Sequence, residues 1–206
     1  LLFLKYLQTK IRCVILQIWE AGDGMDIVYE NKTRQINYSK DKALSPLVHL
    51  HKELEIIYVK NGKSVAYADK NSYLLNTGDM FISFPNQVHY YKTMQRGEYL
   101  VLIFSPDILY GLSAEISKSI PDKNYFSSSE NAEIKDIFDR LYFVDGEYKN
   151  IAVNGYLNVI MSLILPKLKL KTVDTENNSA FYNIIDFCTH NFKEELTLDL
   201  VAEKLH

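Results

Sequence analysis

The chain has 206 residues, of which 47% are hydrophobic, 24% charged and 13% aromatic, a composition typical of a globular protein of one or two domains. Its net charge of −3 argues against strong nucleic-acid binding by this chain alone, because such domains usually carry a basic face. No apolar run approaches the roughly 18 residues that a membrane span needs. Lys5 and Lys10 interrupt the apolar start, so the sequence predicts no signal peptide.

Two cysteines, Cys13 and Cys188, stand far apart without C-x-x-C spacing. This pattern predicts neither a zinc ribbon nor a disulfide framework and favours a reducing, cytoplasmic location. The first residue is not Met, so we expect the chain to be a cut or processed piece of a longer protein.

The first segment, residues 1–24, is predicted to be helical. Apolar residues recur at intervals of three and four from Leu4 to Ile18, and a Gly-Asp-Gly sequence ends the run. Strands over residues 11–19 are the competing prediction, because that stretch is rich in Ile and Val. Trp19 is a candidate to stack on a ligand ring, although aromatic side chains more often pack in a core.

Residues 25–112 are predicted to form a β-domain. Short β-branched and aromatic runs alternate with turn residues, which is typical of a sandwich or barrel. Asn61-Gly62 is a strong hairpin signal at the end of the first such run, and a second hairpin is predicted around Asp69. Arg34 lies in an alternating stretch and is a candidate to reach into a barrel; the alternative is a solvated surface arginine.

Three of the five histidines lie in two short segments of this β-domain. His49 and His51 are two residues apart, so on a strand they face the same side, and Glu55 joins them if the ladder continues without a bulge. His89 stands at the start of a later predicted strand. Imidazole and carboxylate groups bind divalent ions, and they equally hydrogen-bond the hydroxyls of a polyhydroxylated ligand.

The segment that contains His49, His51 and Glu55 resembles the first motif of the cupin barrel, G-x(5)-H-x-H-x(3,4)-E-x(6)-G. His49, His51, Glu55 and Gly62 fall at those spacings, while Ala43 stands in place of the leading glycine.

The second segment resembles the second cupin motif, G-x(5)-P-x-G-x(2)-H. Gly78, Pro85 and His89 keep the order, with one extra residue before the proline and one fewer after it. Gln87 stands near the position of the missing glycine.

Three segments together resemble the sensor half of AraC-type transcription regulators. They are H-L-H-K-E-L-E-I-I-Y-V, G-D-M-F-I-S-F-P-N-Q-V-H and Y-L-V-L-I-F-S-P-D-I-L, which fall in the same order and spacing over roughly residues 30 to 112. The resemblance implies an α+β protein with a cupin-like β-barrel, a double-stranded β-helix, that binds a sugar-like effector.

The resemblance also implies a set of site residues. The candidate ligand-binding residues are His49, His51, Glu55, His89, Tyr91, Arg34 and Trp19. The first four are also candidate ligands of a divalent metal, with nickel, zinc, manganese and iron all compatible with this donor set. A pocket lined by tyrosines and histidines suits stacking and hydroxyl recognition.

Residues 113–171 are predicted to form a helical hairpin. Helices are expected over 133–141 and 153–165, with Pro166 ending the second. Leu157, Met161 and Ile164 form an apolar stripe on the second helix. The stripe either forms a seam against another copy of the chain or covers the chain's own barrel.

The last part of the chain is predicted to be a polar linker, 172–179, followed by the start of a helix-turn-helix domain, 180–206. The segment from Glu194 onward, with Thr197 placed to cap a helix, resembles the opening of the AraC-type DNA-binding domain. The recognition helix would lie beyond His206, so binding to promoter DNA is expected only through the missing C-terminal part.

Two functions are compatible with these features. One is the ligand-sensing and dimerisation region of a DNA-binding regulator, a homodimer with neither enzymatic activity nor membrane contact. The other is a metal-dependent cupin enzyme, an oxygenase or sugar isomerase. The helix-turn-helix start favours the regulator, because an enzyme has no need of it.

Overall fold

The computed structural model describes residues 28–30 and 35–172. The predictions made for Trp19, Arg34, the 1–24 segment and the residues after 172 lie outside this range. The chain divides into two compact units, and Glu30–Thr172 forms one of them. The strand β1, Val28–Tyr29, belongs to the other unit.

The Glu30–Thr172 unit contains nine strands and three α-helices among its described residues. The strands are β2 Ile36–Asp41, β3 His49–Leu50, β4 Leu54–Ala68, β5 Asn71–Asn76, β6 Met80–Ser83, β7 His89–Phe104, β8 Ser119–Pro121, β9 Tyr125–Phe126 and β10 Leu170–Thr172. The helices are α1 Ser113–Ile116, α2 Ala132–Tyr142 and α3 Lys149–Ile164, and two 3-10 turns cover Pro106–Ile108 and Leu165–Lys167.

Two long strands organise the sheet. β4 and β7 pair antiparallel from Leu54↔Phe104 to Ala68↔His89. On its other edge β4 pairs with β6 near its start and with β5 near its end. The strands β2 and β3 pair with β7. β9 extends the sheet beyond β6, and β8 and β10 form a separate pair. Within the described ranges these pairs follow an open path, and the predicted α+β, sheet-rich class is confirmed.

The hairpin predicted at Asn61-Gly62 is wrong, because β4 runs through both residues. Its pairing with β7 shifts register between Val59 and Ser64, which is the signature of a β-bulge. Gly62 has φ of 126°, a conformation that favours glycine. The Asn-Gly pair therefore bends a continuous strand and does not turn the chain back. The second predicted hairpin is confirmed, since Ala68 pairs with Asn71 across a two-residue turn.

The bulge reverses which residues of β4 face each side of the sheet. Before it, Ile57 and Val59 belong to the same buried cluster that Ala66 and Ala68 join after it. An extra residue in one strand shifts the two-residue alternation by one position. Before the bulge the two sides of β4 supply two separate cores, and after it the even-numbered residues continue only one of them.

The helical hairpin packs on the other face of the sheet. Tyr58 of β4 stacks on Phe138 of α2, with ring centroids 4.6 Å apart, inside a core that α3 completes. Leu157, Met161 and Ile164 are all buried in this core. Of the two predicted roles of that stripe, the structure shows the second: it covers the chain's own sheet and cannot form a seam with another copy.

Both predicted helices are present, although the second begins at Lys149, before the predicted start at residue 153. The predicted helices at 133–141 and 153–165 are confirmed as α2 and α3, and Pro166 lies in the 3-10 turn that follows α3. Among the helices in the described ranges, none has the length and apolar character that crossing a membrane would require.

We predict that Gly97→Ala destabilises the domain by roughly 1–3 kcal/mol, because a side chain there overpacks a filled position. A Cβ on Gly97 would collide with the backbone carbonyl of Asn61 at the bulge, and backbone atoms cannot move aside as a flexible side chain can. Urea denaturation measures the change.

Gly155→Ala is the control for this measurement. Gly155 lies in α3 with nothing within 4 Å of an added Cβ, so alanine there should stabilise the helix by about 0.5–1 kcal/mol. Equal effects of the two substitutions would contradict the close approach of the strands at Gly97.

Candidate functional site

The site is assembled from three neighbouring strands. His49 in β3 is the register partner of His89, the first residue of β7. Tyr91 follows two positions along β7 and faces the same side. Glu55 is the second residue of β4, and His51 lies between β3 and β4.

Three imidazoles face one carboxylate oxygen. The Oε2 atom of Glu55 lies 3.1 Å from Nε2 of His51, 3.5 Å from Nε2 of His89 and 3.9 Å from Nε2 of His49. One donor atom from each of the four residues lies within 4.8 Å of all the others. The predicted convergence of these four side chains is confirmed, and none of them is more than 4% exposed.

Backbone carbonyls fix the orientation of all three rings. Nδ1 of His49 is 2.7 Å from the carbonyl of Leu47, and Nδ1 of His89 is 2.7 Å from that of Gln87. His51 makes the same kind of bond, at 3.2 Å, to the carbonyl of Glu53. A carbonyl can only accept, so each Nδ1 carries the proton, and in the neutral ring each Nε2 presents a lone pair to the cluster.

The cluster therefore directs several electron-rich atoms at one point. Nε2 of His89 is buried and has no hydrogen-bond partner. Lone pairs and a carboxylate at such distances repel one another unless a proton or a metal ion lies between them.

The pKa shifts agree with this electrostatic picture. Burial would raise the pKa of Glu55, but the three histidines, which can donate through Nε2 when they are protonated, outweigh it and hold that pKa well below its usual range. Burial lowers the pKa of His89 despite its contact with Glu55. Burial also acts to lower the pKa of His49, yet the bonds to Glu55 and Leu47 prevail and raise it. The cluster keeps its carboxylate ionised and attracts positive charge.

Tyr91 completes the cluster. Its hydroxyl donates to Oε1 of Glu55 at 2.7 Å, which leaves Oε2 directed at the histidines. Burial, together with the neighbouring carboxylate, raises the pKa of Tyr91 well above its ordinary value. The phenol stays protonated and acts as a fixed donor.

The turn before His89 is built around Asn86. Asn86 has φ of 65°, a left-handed conformation that asparagine tolerates better than most residues, and its backbone N–H donates to the carbonyl of His51. Asn86, and not Gln87, adopts the conformation expected of the missing motif glycine. Gln87 instead braces the turn by accepting from the amide of Phe84 and from the side chain of Asn124.

One site residue was not predicted from the sequence. Ser83 is the register partner of Glu55, is fully buried, and its hydroxyl has no partner. A serine in an apolar strand gives no sequence signal, and only the register places it beside the carboxylate. Of the remaining predicted site residues, Tyr91 is in the cluster, whereas Arg34 and Trp19 lie outside the described residues.

The arrangement has the chemistry of a metal site. Three neutral imidazoles with anchored Nδ1 atoms and one carboxylate could hold a divalent ion. A hexose ring is larger than the gaps of 3.1 to 3.9 Å between the Glu55 oxygen and the three nitrogens, so it cannot lie among these four donors as they stand.

The fold and the buried His/Glu cluster together define a ligand-binding domain of the cupin type. The sequence matches the AraC-like ligand binding domain family over residues 37–142, which is just over half of the chain. The chain belongs to this family. The sequence has no significant match among curated proteins.

A solved structure of ToxT agrees with this fold. Unsaturated fatty acid bound ToxT from Vibrio cholerae is similar with a TM-score of 0.54 and 13% identity, covering 85% of this chain and 70% of that chain. The AraC-like transcriptional activator CuxR gives 0.45 and 12% over 75% and 56% of the two chains. An RmlC-like cupin from Shewanella frigidimarina gives 0.31 and 22%, covering 34% of this chain and 65% of that chain.

We predict that Tyr91→Phe destabilises the metal-free domain by about 1–3 kcal/mol, the usual cost of removing a hydrogen bond to a buried charged group. Urea denaturation in the presence of a chelator measures this change without a contribution from bound metal.

The matched control is Tyr90→Phe. Tyr90 is the neighbouring residue, points to the other side of β7 and stacks on Tyr67, so loss of its hydroxyl should change stability by less than about 0.5 kcal/mol. If Tyr91→Phe were as mild as Tyr90→Phe, the bond to Glu55 would not constrain the cluster.

Proposed function

We propose that this chain is the ligand-sensing and dimerisation region of a cytoplasmic, DNA-binding transcription regulator. Membership of the AraC-like ligand binding domain family carries the proposal. The resemblance of residues 180–206 to the start of a helix-turn-helix domain supports it. Promoter DNA would then be read by a C-terminal domain, and the domain described here would control how two such domains are presented.

We further propose that the His/Glu cluster binds a divalent metal ion, with His49, His51, Glu55 and His89 as ligands. The support is the unpartnered Nε2 of His89 and the three Nδ1 atoms anchored on carbonyls, the outer arrangement that metal-binding histidines usually have. A bound ion would supply the positive charge that the cluster attracts. Nickel, zinc, manganese and iron are all compatible with three imidazoles and a carboxylate.

The organic effector is the second part of this proposal. A sugar follows from the family resemblance, and the fatty acid bound to ToxT offers a second class of effector. Either would have to bind beside the four donors, next to the buried apolar cluster that contains Phe81 and Tyr91. An effector of this kind acts only if its affinity differs between two arrangements of the dimer.

A thermal-shift experiment tests the sensor proposal. The chelator-stripped chain is mixed in turn with Ni²⁺, Zn²⁺, Mn²⁺, Fe²⁺, a panel of free sugars and oleic acid. We expect one metal to stabilise the fold by about 2.7 kcal/mol at 100 times its dissociation constant, and a sugar or the fatty acid to add a further shift.

His89→Asn should abolish the metal shift, because it removes a ligand from the centre of the cluster while keeping the residue's size and polarity. Elemental analysis of the protein purified without chelator gives an independent readout. An equal metal shift in wild type and His89→Asn would exclude the cluster as the binding site.

For dimerisation we propose the flank of α3 around Val159, defined as Ala152, Tyr156, Val159 and Leu163. Tyr156 and Leu163 are partly buried against the chain's own core, while Val159 is 47% exposed. An exposed apolar side chain beside partly buried ones is suited to a contact with a second copy. A surface groove beside this flank is lined by Phe143, Val144, Ala152 and Tyr156 together with three charged residues, Asp139, Arg140 and Asp145.

We predict that Val159→Lys converts a dimer into a folded monomer, because it places an unpaired charge in the centre of the contact. Light scattering measures the mass, and circular dichroism confirms that the variant is folded. Asn158→Lys is the matched control, since it adds the same charge at the exposed neighbouring position on the polar flank of the helix.

Two results would contradict this interface: a monomeric wild-type protein, or a Val159→Lys variant that remains dimeric. Leu157→Lys is not a usable test, because Leu157 is buried in the chain's own core and its replacement would unfold the domain.

A metal-dependent cupin enzyme is the second candidate function. The same donor set favours it, since three histidines and a carboxylate leave coordination positions open for substrate. Oxygen consumption or sugar isomerisation by the metal-loaded protein would favour the enzyme. A metal or effector response of the dimer without turnover would favour the regulator.

A further inference from the structure

The outer side of the sheet beyond the bulge forms a distinct surface. Three adjacent strands, β5, β4 and β7, present alternate residues on this side. Tyr67 of β4 pairs with Ser72 of β5 and Tyr90 of β7. In the same way, Val65 pairs with Leu74 and Lys92. We call this surface the basic sheet face; it consists of Lys63, Val65, Tyr67, Leu74, Tyr90 and Lys92 on the strands and Lys70 in the turn between β4 and β5.

The described helices α2 and α3 do not cover this face. The core beneath α2 and α3 includes residues of β4 only up to Tyr58. The bulge separates this first half of β4 from the second half, which carries the basic sheet face. Leu74 is 46% exposed. The rings of Tyr67 and Tyr90 lie parallel, 4.2 Å apart with 1° between their planes. The result is a flat platform with half-buried aromatic rings.

The charges on this face are all positive. Lys63, Lys70 and Lys92 form no ion pair with any described residue, and Lys70 and Lys92 are exposed. Asp69, beside Lys70 in the turn between β4 and β5, adds one negative charge at the edge of the face, and its carboxylate accepts from the side chain of Gln87. On a chain of net charge −3, three cations against one anion make this face more basic than the chain as a whole.

We propose that the basic sheet face lies against the phosphate backbone of duplex DNA when the regulator is bound to its promoter. The inference rests on the proposed function, which brings this domain close to DNA, and on charge complementarity. A second copy of the chain is a poor occupant, because it would set three lysines against three lysines. DNA offers a dense row of negative charges, and tyrosine hydroxyls can donate to phosphate oxygens.

The spacing of the cations suits such a contact. Neighbouring strands lie about 4.8 Å apart, and alternate residues along a strand about 7 Å apart, so the lysines are spread over a patch and do not compete for one phosphate. Contacts of this kind carry no sequence information. They would add sequence-independent affinity for DNA, while the DNA-binding domain would supply the sequence specificity.

The test measures binding of the 206-residue chain to a fluorescein-labelled random-sequence duplex of about 30 base pairs by fluorescence anisotropy at low salt. We expect weak binding whose logarithm falls with the logarithm of salt concentration with a slope of about −2.7, the value for three phosphate contacts. The triple variant K63Q/K70Q/K92Q should lose about tenfold or more in affinity and most of that slope.

The matched control is K118Q/K149Q/K171Q, which removes three exposed lysines elsewhere and takes the net charge from −3 to the same value of −6. It should bind within about twofold of wild type. Equal losses in the two triple variants, or no binding by wild type at low salt, would overturn the proposal.

A further variant, Leu74→Ser, separates DNA from a protein partner. We expect it to bind the duplex as wild type does, because the phosphate contacts depend on the lysines. If Leu74→Ser loses binding while K63Q/K70Q/K92Q does not, the face is an apolar contact and the DNA inference fails. Neither result affects the effector shift or the dimer contact, so the proposed function can stand when this inference falls.

Discussion

The structure depends on one buried carboxylate, that of Glu55, placed within reach of three imidazoles. An ionised group in an apolar interior costs several kcal/mol unless it is hydrogen-bonded and paired. Tyr91 satisfies one oxygen and the histidines surround the other. The rest of the sheet holds these groups in place: β3 and β7 carry the histidines opposite each other, and the turn at Asn86 ties the two segments together.

The bulge in β4 lets one sheet serve two purposes. On one side of the bulge the outward residues are covered by the helical hairpin, and on the other side they face solvent. The inner side carries the His/Glu cluster and an apolar lining. A sensor needs a ligand site, a contact with its partner subunit and a physical connection between them. β4 carries Glu55 of the His/Glu cluster, and the helical hairpin with the proposed dimer contact packs against the same strand. The site and the helices are therefore connected through one continuous, packed element.

How far the sequence predicted the site depended on how local each signal was. His49, His51 and Glu55 were found because their spacing lies within one short segment, and His89 because a proline-containing turn precedes it. The bond from Tyr91 to Glu55 joins residues 36 positions apart, and no local pattern encodes it. The same holds for Ser83, whose role follows from strand register alone.

The incorrect hairpin prediction and the points that the sequence left open have physical reasons as well. Asn61-Gly62 fits a hairpin turn and a bulge equally well, and pairing with β7 decided between them. The stripe at Leu157 has the same periodicity whether it covers its own sheet or a second copy, so only tertiary packing distinguishes the two. The sequence showed only that Gln87 stands near the missing motif glycine, and Asn86, one position earlier, adopts the left-handed conformation.

The near-complete burial of the four donors has a kinetic consequence. His51 and His89 are each 1% exposed, so anything coordinated by them enters or leaves only when strands or turns part locally. Such openings are far slower than diffusion to an open surface. The fraction of clusters that hold a bound species would then lag behind the free concentration of that species by about the lifetime of the closed state. The domain would respond to sustained changes in that concentration and not to brief ones.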